Sequence, residues 1–113
     1  MGTFVRGQVV VLPFPFSNLT HTQRRRPALV LANVGSYNDL VLCMITAKPS
    51  DSSVEITDSD FVEGKLNHPV SYVRPDRLFT AESTLVVRMI GALKPSKMKE
   101  ILNEVSQIFA EET

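Results

Sequence analysis

A chain of 113 residues is the size of one domain, and 43% hydrophobic with 21% charged residues belongs to globular proteins rather than to disordered tails. No apolar run reaches the roughly 18 residues of a membrane span, and the opening stretch, broken by Pro13 and Pro15, does not read as a signal peptide. The zero net charge splits unevenly. Residues 1–50 carry five basic side chains and one acidic (plus four), and residues 51–113 carry seven basic and eleven acidic (minus four). A domain without overall basic charge can hold a polyanion only locally, and Arg24-Arg25-Arg26 is the place to look. The single cysteine, Cys43, cannot close an internal disulfide, so a reducing, cytoplasmic location is expected.

The elements follow in chain order. Gln8 to Phe14 is β-branched and closes on Pro-Phe-Pro-Phe, which reads as a strand. Ser17 to Arg26 is a polar loop ending in three arginines, and it runs straight into Pro27 to Val34, a near-continuous apolar strand. Gly35 to Asp39 carries turn residues, and Leu40 to Thr46 repeats the apolar pattern of a strand covered on both faces. Val54 to Thr57 and Pro69 to Arg74 read as short strands, and Leu85 to Leu93 as a longer one. Between Asp51 and Glu63 stand five carboxylates and no base, a solvated segment or an acidic edge. Met98, Ile101, Leu102, Val105, Ile108 and Phe109 then recur at helical spacing. Pro95 suits a first helical position, and Ser96 is an alternative N-cap. Five to seven strands and one helix of about four turns predict a small β-barrel sealed by a C-terminal helix, one domain over residues 1–113.

Several chemistries are disfavoured. His21, His68 and Cys43 have no zinc-ligand spacing, and Cys43 reads as core. Neither a GxGxxG nor a GxxxxGK[ST] cradle is present, nor a GxSxG elbow. Three features remain. Arginines at a strand mouth can grip a phosphate with two bonds, or can simply be solvated. Thr46 ends an apolar strand, where its hydroxyl serves either a ligand or its own backbone. Arg74 and Asp76 stand two apart at a strand end, as functional groups or as a structural ion pair.

Taken together, the segments G-Q-V-V-V-L-P-F-P-F, R-R-P-A-L-V-L, L-C-M-I-T, Y-V-R-P-D and I-G-A-L, followed by a terminal helix, resemble the MazF/PemK (Kid-like) toxins of type II toxin–antitoxin modules. The likeness runs from about Arg6 to Phe109. It implies a mainly β, SH3-like barrel with a C-terminal α-helix (the CcdB/Kid/MazF-like toxin fold). It further implies a homodimer, a cognate antitoxin as partner, and cleavage of single-stranded RNA at specific sequences without a metal or other cofactor. Carried over by position, Arg26 is the principal catalytic residue, Thr46 contacts the scissile phosphate, and Arg74 and Asp76 form the Arg-x-Asp pair. His21 is a loose match to a histidine of the family's first loop, and Thr20, Arg24 and Arg25 are the other expected RNA contacts. The chemistry agrees with these places. Attack by the 2′-hydroxyl needs one proton removed, one supplied, and the charge on phosphorus held. Arginine suits the last task and proton donation to the leaving oxygen; Asp76 or His21 is the candidate base. Phe14, Phe16 and Tyr37 are candidate platforms for bases, with at least one of the two phenylalanines expected to be buried. Two alternatives keep the fold: a CcdB-like gyrase inhibitor, disfavoured because the chain has no Trp, and a non-catalytic homologue that only binds antitoxin or RNA.

Overall fold

The structure, a computed structural model, describes residues 3–14 and 24–110. Seven strands form one antiparallel sheet: β1 (Gln8–Pro13), β2 (Arg25–Val34), β3 (Asp39–Thr46), β4 (Val54–Thr57), β5 (Phe61–Gly64), β6 (Val70–Glu82) and β7 (Arg88–Leu93). Their order is β4-β6-β3-β2-β1-β7-β5, and the sheet curls into a nearly closed barrel, with α1 (Pro95–Ala110) as the one α-helix among the described residues. The expected class, mainly β with a C-terminal helix, is therefore present.

The continuous apolar runs have a simple cause: the three central strands are covered on both faces. One face packs Val9, Leu29, Leu31, Cys43 and Ile45 against Met98 and Ile101 of α1. The other packs Val10, Leu12, Phe14, Ala28, Val30, Leu40 and Leu42. With period-two alternation, each strand feeds both cores. Cys43 is a core residue, as expected, and burial pushes its thiol pKa up to about 12. The helix seals the barrel through Met98 and Ile101, while Phe109, at 64% exposure, has run past the core. Lys94 supplies the first helical acceptor, taking a bond from the Met98 N–H at 3.0 Å. Pro95 is thus the first helical residue, and Ser96 lies inside the helix rather than capping it.

Three boundaries differ from expectation. The strand expected over Pro69 to Arg74 runs on to Glu82, interrupted by a bulge. Cys43 and Met44 are consecutive on β3, yet they face Leu78 and Arg74, so residues 75–77 are extra on β6. Pro75, which has no N–H to give a ladder, sits at this bulge. The strand expected from Leu85 begins only at Arg88, because Ser83–Leu85 winds into a 3-10 turn. The acidic segment holds a strand that the charge pattern conceals, β5, and both β4 and β5 are sheet edges. Its carboxylates are partly structural: Asp60 accepts from the Thr57 N–H at 2.8 Å and stands 3.8 Å from Lys97.

Candidate active site

Arg26 is the second residue of β2, opposite Leu12 of β1. By alternation it shares a face with Ala28 and Val30, but at the open end of the strand its side chain is exposed. Among the described residues it has no ion-pair partner. It lies between two cavities and lines both.

The larger cavity, about 540 Å³, is lined by Phe14, Arg26, Met44, Asp76, Arg77, Leu78 and Phe79. Its floor is apolar. The rings of Phe14 and Phe79 meet edge to face with centroids 5.1 Å apart. Asp76 and Arg77 reach the cavity because the β6 bulge lifts them out of the ladder. The smaller cavity, about 230 Å³, is lined by Arg26 and Thr46, by Lys65, Asn67 and His68 of the β5–β6 loop, and by Ser71 and Arg88. Val11, Ile45, Leu66 and Ile90 are among its apolar walls. Its described lining holds three cationic side chains, a histidine and no carboxylate, a setting that favours an anion.

The expected site residues are thus partly brought together. Arg26 and Thr46 share the smaller cavity, and Arg26 and Asp76 share the larger. Arg74 lines neither; it faces Met44 in the ladder and turns its guanidinium onto Asp76. The two bonds run from Nε to Oδ1 at 3.0 Å and from the terminal nitrogen to Oδ2 at 2.9 Å. The bonds from that guanidinium hold the Asp76 carboxyl below its ordinary range, and the carboxylate raises the pKa of Arg74 in return. A carboxylate with both oxygens occupied by a cation is a weak proton acceptor, which lowers its standing as the base. Thr46 spends its hydroxyl on its own turn. The O–H donates to the Lys48 carbonyl at 2.8 Å and accepts from the Lys48 N–H at 3.3 Å. To donate to a phosphate, this hydroxyl must leave the Lys48 carbonyl, since it carries only one proton.

Of the arginine triplet, only Arg26 lines either of these two cavities. Arg25 pairs with Pro13, and the Arg24 carbonyl accepts from the Phe14 N–H at 3.0 Å, closing the two strands over the loop. Thr20, His21 and Phe16 lie outside the described residues. Phe14 is buried, so it offers an edge rather than an open platform. Tyr37 is 85% exposed but follows the far end of β2, about 30 Å along the strand from Arg26. Lys65, Asn67, His68 and Arg88 are site residues that sequence reasoning missed, His68 being weighed only as a metal ligand. They carry no motif; Arg88 opens β7, and the pairing of β5 with β7 brings the loop of the other three to the site. Among the described residues, no group of three or more His, Cys, Asp or Glu is placed to hold a metal ion.

A family model described as PemK-like, MazF-like toxin of type II toxin–antitoxin system matches residues 5–109. Among solved structures, a MazE–MazF complex from Deinococcus radiodurans aligns with TM-score 0.75 at 17% identity, covering 99% of this chain and 100% of that one. An endoribonuclease in complex with its cognate antitoxin, from a mycobacterial species, aligns with TM-score 0.69 at 21% identity over 97% and 96% of the two chains. The Mycobacterium tuberculosis toxin MazF-mt6 aligns with TM-score 0.70 at 19% identity over 94% and 99%. At these identities the likeness is one of fold. No curated protein sequence matches the chain.

Proposed function

We propose that this chain, which belongs to the PemK-like, MazF-like toxins of type II toxin–antitoxin systems, is a sequence-specific endoribonuclease that cuts single-stranded RNA without a metal. The single observation that carries the reading is the place of Arg26, exposed at a strand mouth and shared by a cationic cavity and an apolar, aromatic-edged one. A phosphate in the smaller cavity and a flanking base against the larger would put the scissile link beside Arg26.

The reaction needs little besides these groups. The 2′-hydroxyl attacks phosphorus, the bond to the 5′-oxygen breaks, and the products are a 2′,3′-cyclic phosphate and a 5′-hydroxyl. Arg26 holds the charge that builds on the phosphoryl oxygens and gives a proton to the leaving oxygen. Thr46, once turned from Lys48, orients the phosphate by a hydrogen bond. Asp76 stays ionised beside Arg74 and serves the larger cavity as a fixed hydrogen-bond acceptor for a base edge rather than as the base. Arg24 and Arg25, exposed beside the site, hold neighbouring phosphates together with Thr20 and His21.

The whole chain acts as one domain, in the cytoplasm. No helix among the described residues is long and apolar enough to cross a membrane. A homodimer is the working form: Leu85 and Val87, just before β7, and Met89 within it are all exposed and give a copy apolar surface to cover. A cognate antitoxin neutralises the activity by laying an acidic segment over the same cationic cavity, as the relatives solved with antitoxins suggest. The test is to incubate purified protein with a long single-stranded RNA in EDTA and identify the product ends. Cuts at one short motif, with cyclic phosphate and free 5′-hydroxyl ends, support the reading. 5′-phosphate ends, or no cuts by a folded dimer, refute it.

A further inference from the structure

The cyclising reaction needs a group that accepts the 2′-hydroxyl proton, and the expected carboxylate is poorly suited. Asp76 is tied at both oxygens to Arg74, and it faces the larger cavity rather than the one holding Thr46. Arg26, Lys65 and Arg88 are cations and cannot take a proton near neutral pH. We propose that His68 is the general base of RNA cleavage by this chain, taking the 2′-hydroxyl proton in the small cavity it shares with Arg26 and Thr46. The inference rests on the ribonuclease reading above and assigns a residue which that reading leaves open.

Three features carry it. His68 lines the same 230 Å³ cavity as Arg26 and Thr46, with Lys65 from its own loop, Ser71 from β6 and Arg88 from β7. Among the described residues no carboxylate lines that cavity, so a phosphate there faces the cations Arg26, Lys65 and Arg88 and the His68 imidazole. The loop that carries His68 is pinned. Leu66, two residues earlier, is buried in the core with Ile45, Phe61 and Val73, and β5 before it is paired to β7. His68 itself is exposed, and the anchored loop places it in the lining of the cavity, beside Arg26 and Thr46. Imidazole is the side chain that ordinarily exchanges a proton between about pH 5 and 8. The step balances: the 2′-oxygen–phosphorus bond forms as its proton passes to His68, and the phosphorus–5′-oxygen bond breaks as that oxygen takes a proton from Arg26. Water then restores both side chains.

The experiment is single-turnover cleavage from pH 5 to 9 of an RNA carrying the wild-type cut site, by wild type, His68→Gln and His21→Gln. Affinity is measured separately with the same RNA carrying a 2′-deoxy sugar at the cut, which binds but cannot react. Wild type should show a rate that rises with pH and then levels. His68→Gln should bind the deoxy RNA as wild type does, cleave about 10² to 10⁴ times more slowly, and lose the rise. His21→Gln should keep the rise, whatever its affinity. Undiminished cleavage by His68→Gln, or loss of the rise in His21→Gln with the rise kept in His68→Gln, overturns the assignment and leaves the ribonuclease reading standing. A folded wild-type protein that cuts no RNA overturns both.

Discussion

The β5–β6 loop reaches the site because β5 lies closely on β7, and the facing glycines Gly64 and Gly91 permit that approach. Gly64 ends β5 with φ +70°, facing Gly91 of β7. A methyl group added there would collide with the Ile90 carbonyl oxygen and stand 2.7 Å from the Gly91 Cα, all of it backbone that cannot rotate away. Gly35 has almost the same φ, +75°, in the β2–β3 turn, yet nothing lies within 4 Å of where its Cβ would be. The two glycines separate the effects. Gly35→Ala should cost only the left-handed strain, about 1–2 kcal/mol. Gly64→Ala adds a clash that parts the two strands, and a total above about 3 kcal/mol is expected. Equilibrium urea unfolding of both variants measures the difference. Cleavage by Gly64→Ala under conditions where it is still folded should also be impaired, because Lys65 and His68 move with the strand end. Equal destabilisation by the two substitutions, or wild-type cleavage by Gly64→Ala, would refute the reasoning.

Three further outcomes follow from the geometry. Thr46→Val removes a hydroxyl bonded twice to Lys48, so stability should fall by about 1 kcal/mol and cleavage by about tenfold, measured by urea unfolding and single-turnover rates. The lowered pKa of Asp76 contributes stability above the ordinary carboxylate value of about 4, and that contribution is lost as pH falls through the folded value. The pair is partly solvated, at 20% and 35% side-chain exposure, so Asp76→Asn should flatten the acid limb of the unfolding curve by less than about 1 kcal/mol. The raised thiol of Cys43 acts in the opposite direction. Its stabilisation is complete below the unfolded thiol value of about 8.5 and is lost as pH climbs toward about 12, so wild type should lose stability over that window more steeply than Cys43→Ala.

The central strands were legible because burial on both faces writes itself as unbroken apolar sequence, and Val54–Thr57 was legible because its alternation is clean. The second half of β6 was not. Pro75 looks like a strand end, and only the ladder shows that the chain bulges and resumes its pairing with β3. β5 was hidden by its acidic neighbours, since an edge strand of four residues with one buried side chain, Phe61, leaves little pattern. In the site, Arg26 and Thr46 were legible from local sequence because both stand at ends of readable strands. The ion pair of Asp76 with Arg74 was legible as one of two readings, but not which cavity Asp76 lines, which depends on the bulge. His68 reads in sequence only as a rejected metal ligand, and its place in the site was not legible. Forty-two residues separate it from Arg26, and a lone histidine in a polar loop has no signature until topology gives it neighbours.

The central claim is that Arg26 carries the chemistry, and the most direct measurement is metal-free cleavage of one long single-stranded RNA by wild type and Arg26→Ala side by side. Arg26 lines both cavities and has no ion-pair partner among the described residues, so its truncation should leave the fold and its urea midpoint nearly unchanged. The account predicts cuts at a single short motif by wild type, falling at least about 100-fold in rate in the variant. Arg26→Ala that folds normally and cuts at the wild-type rate would contradict it.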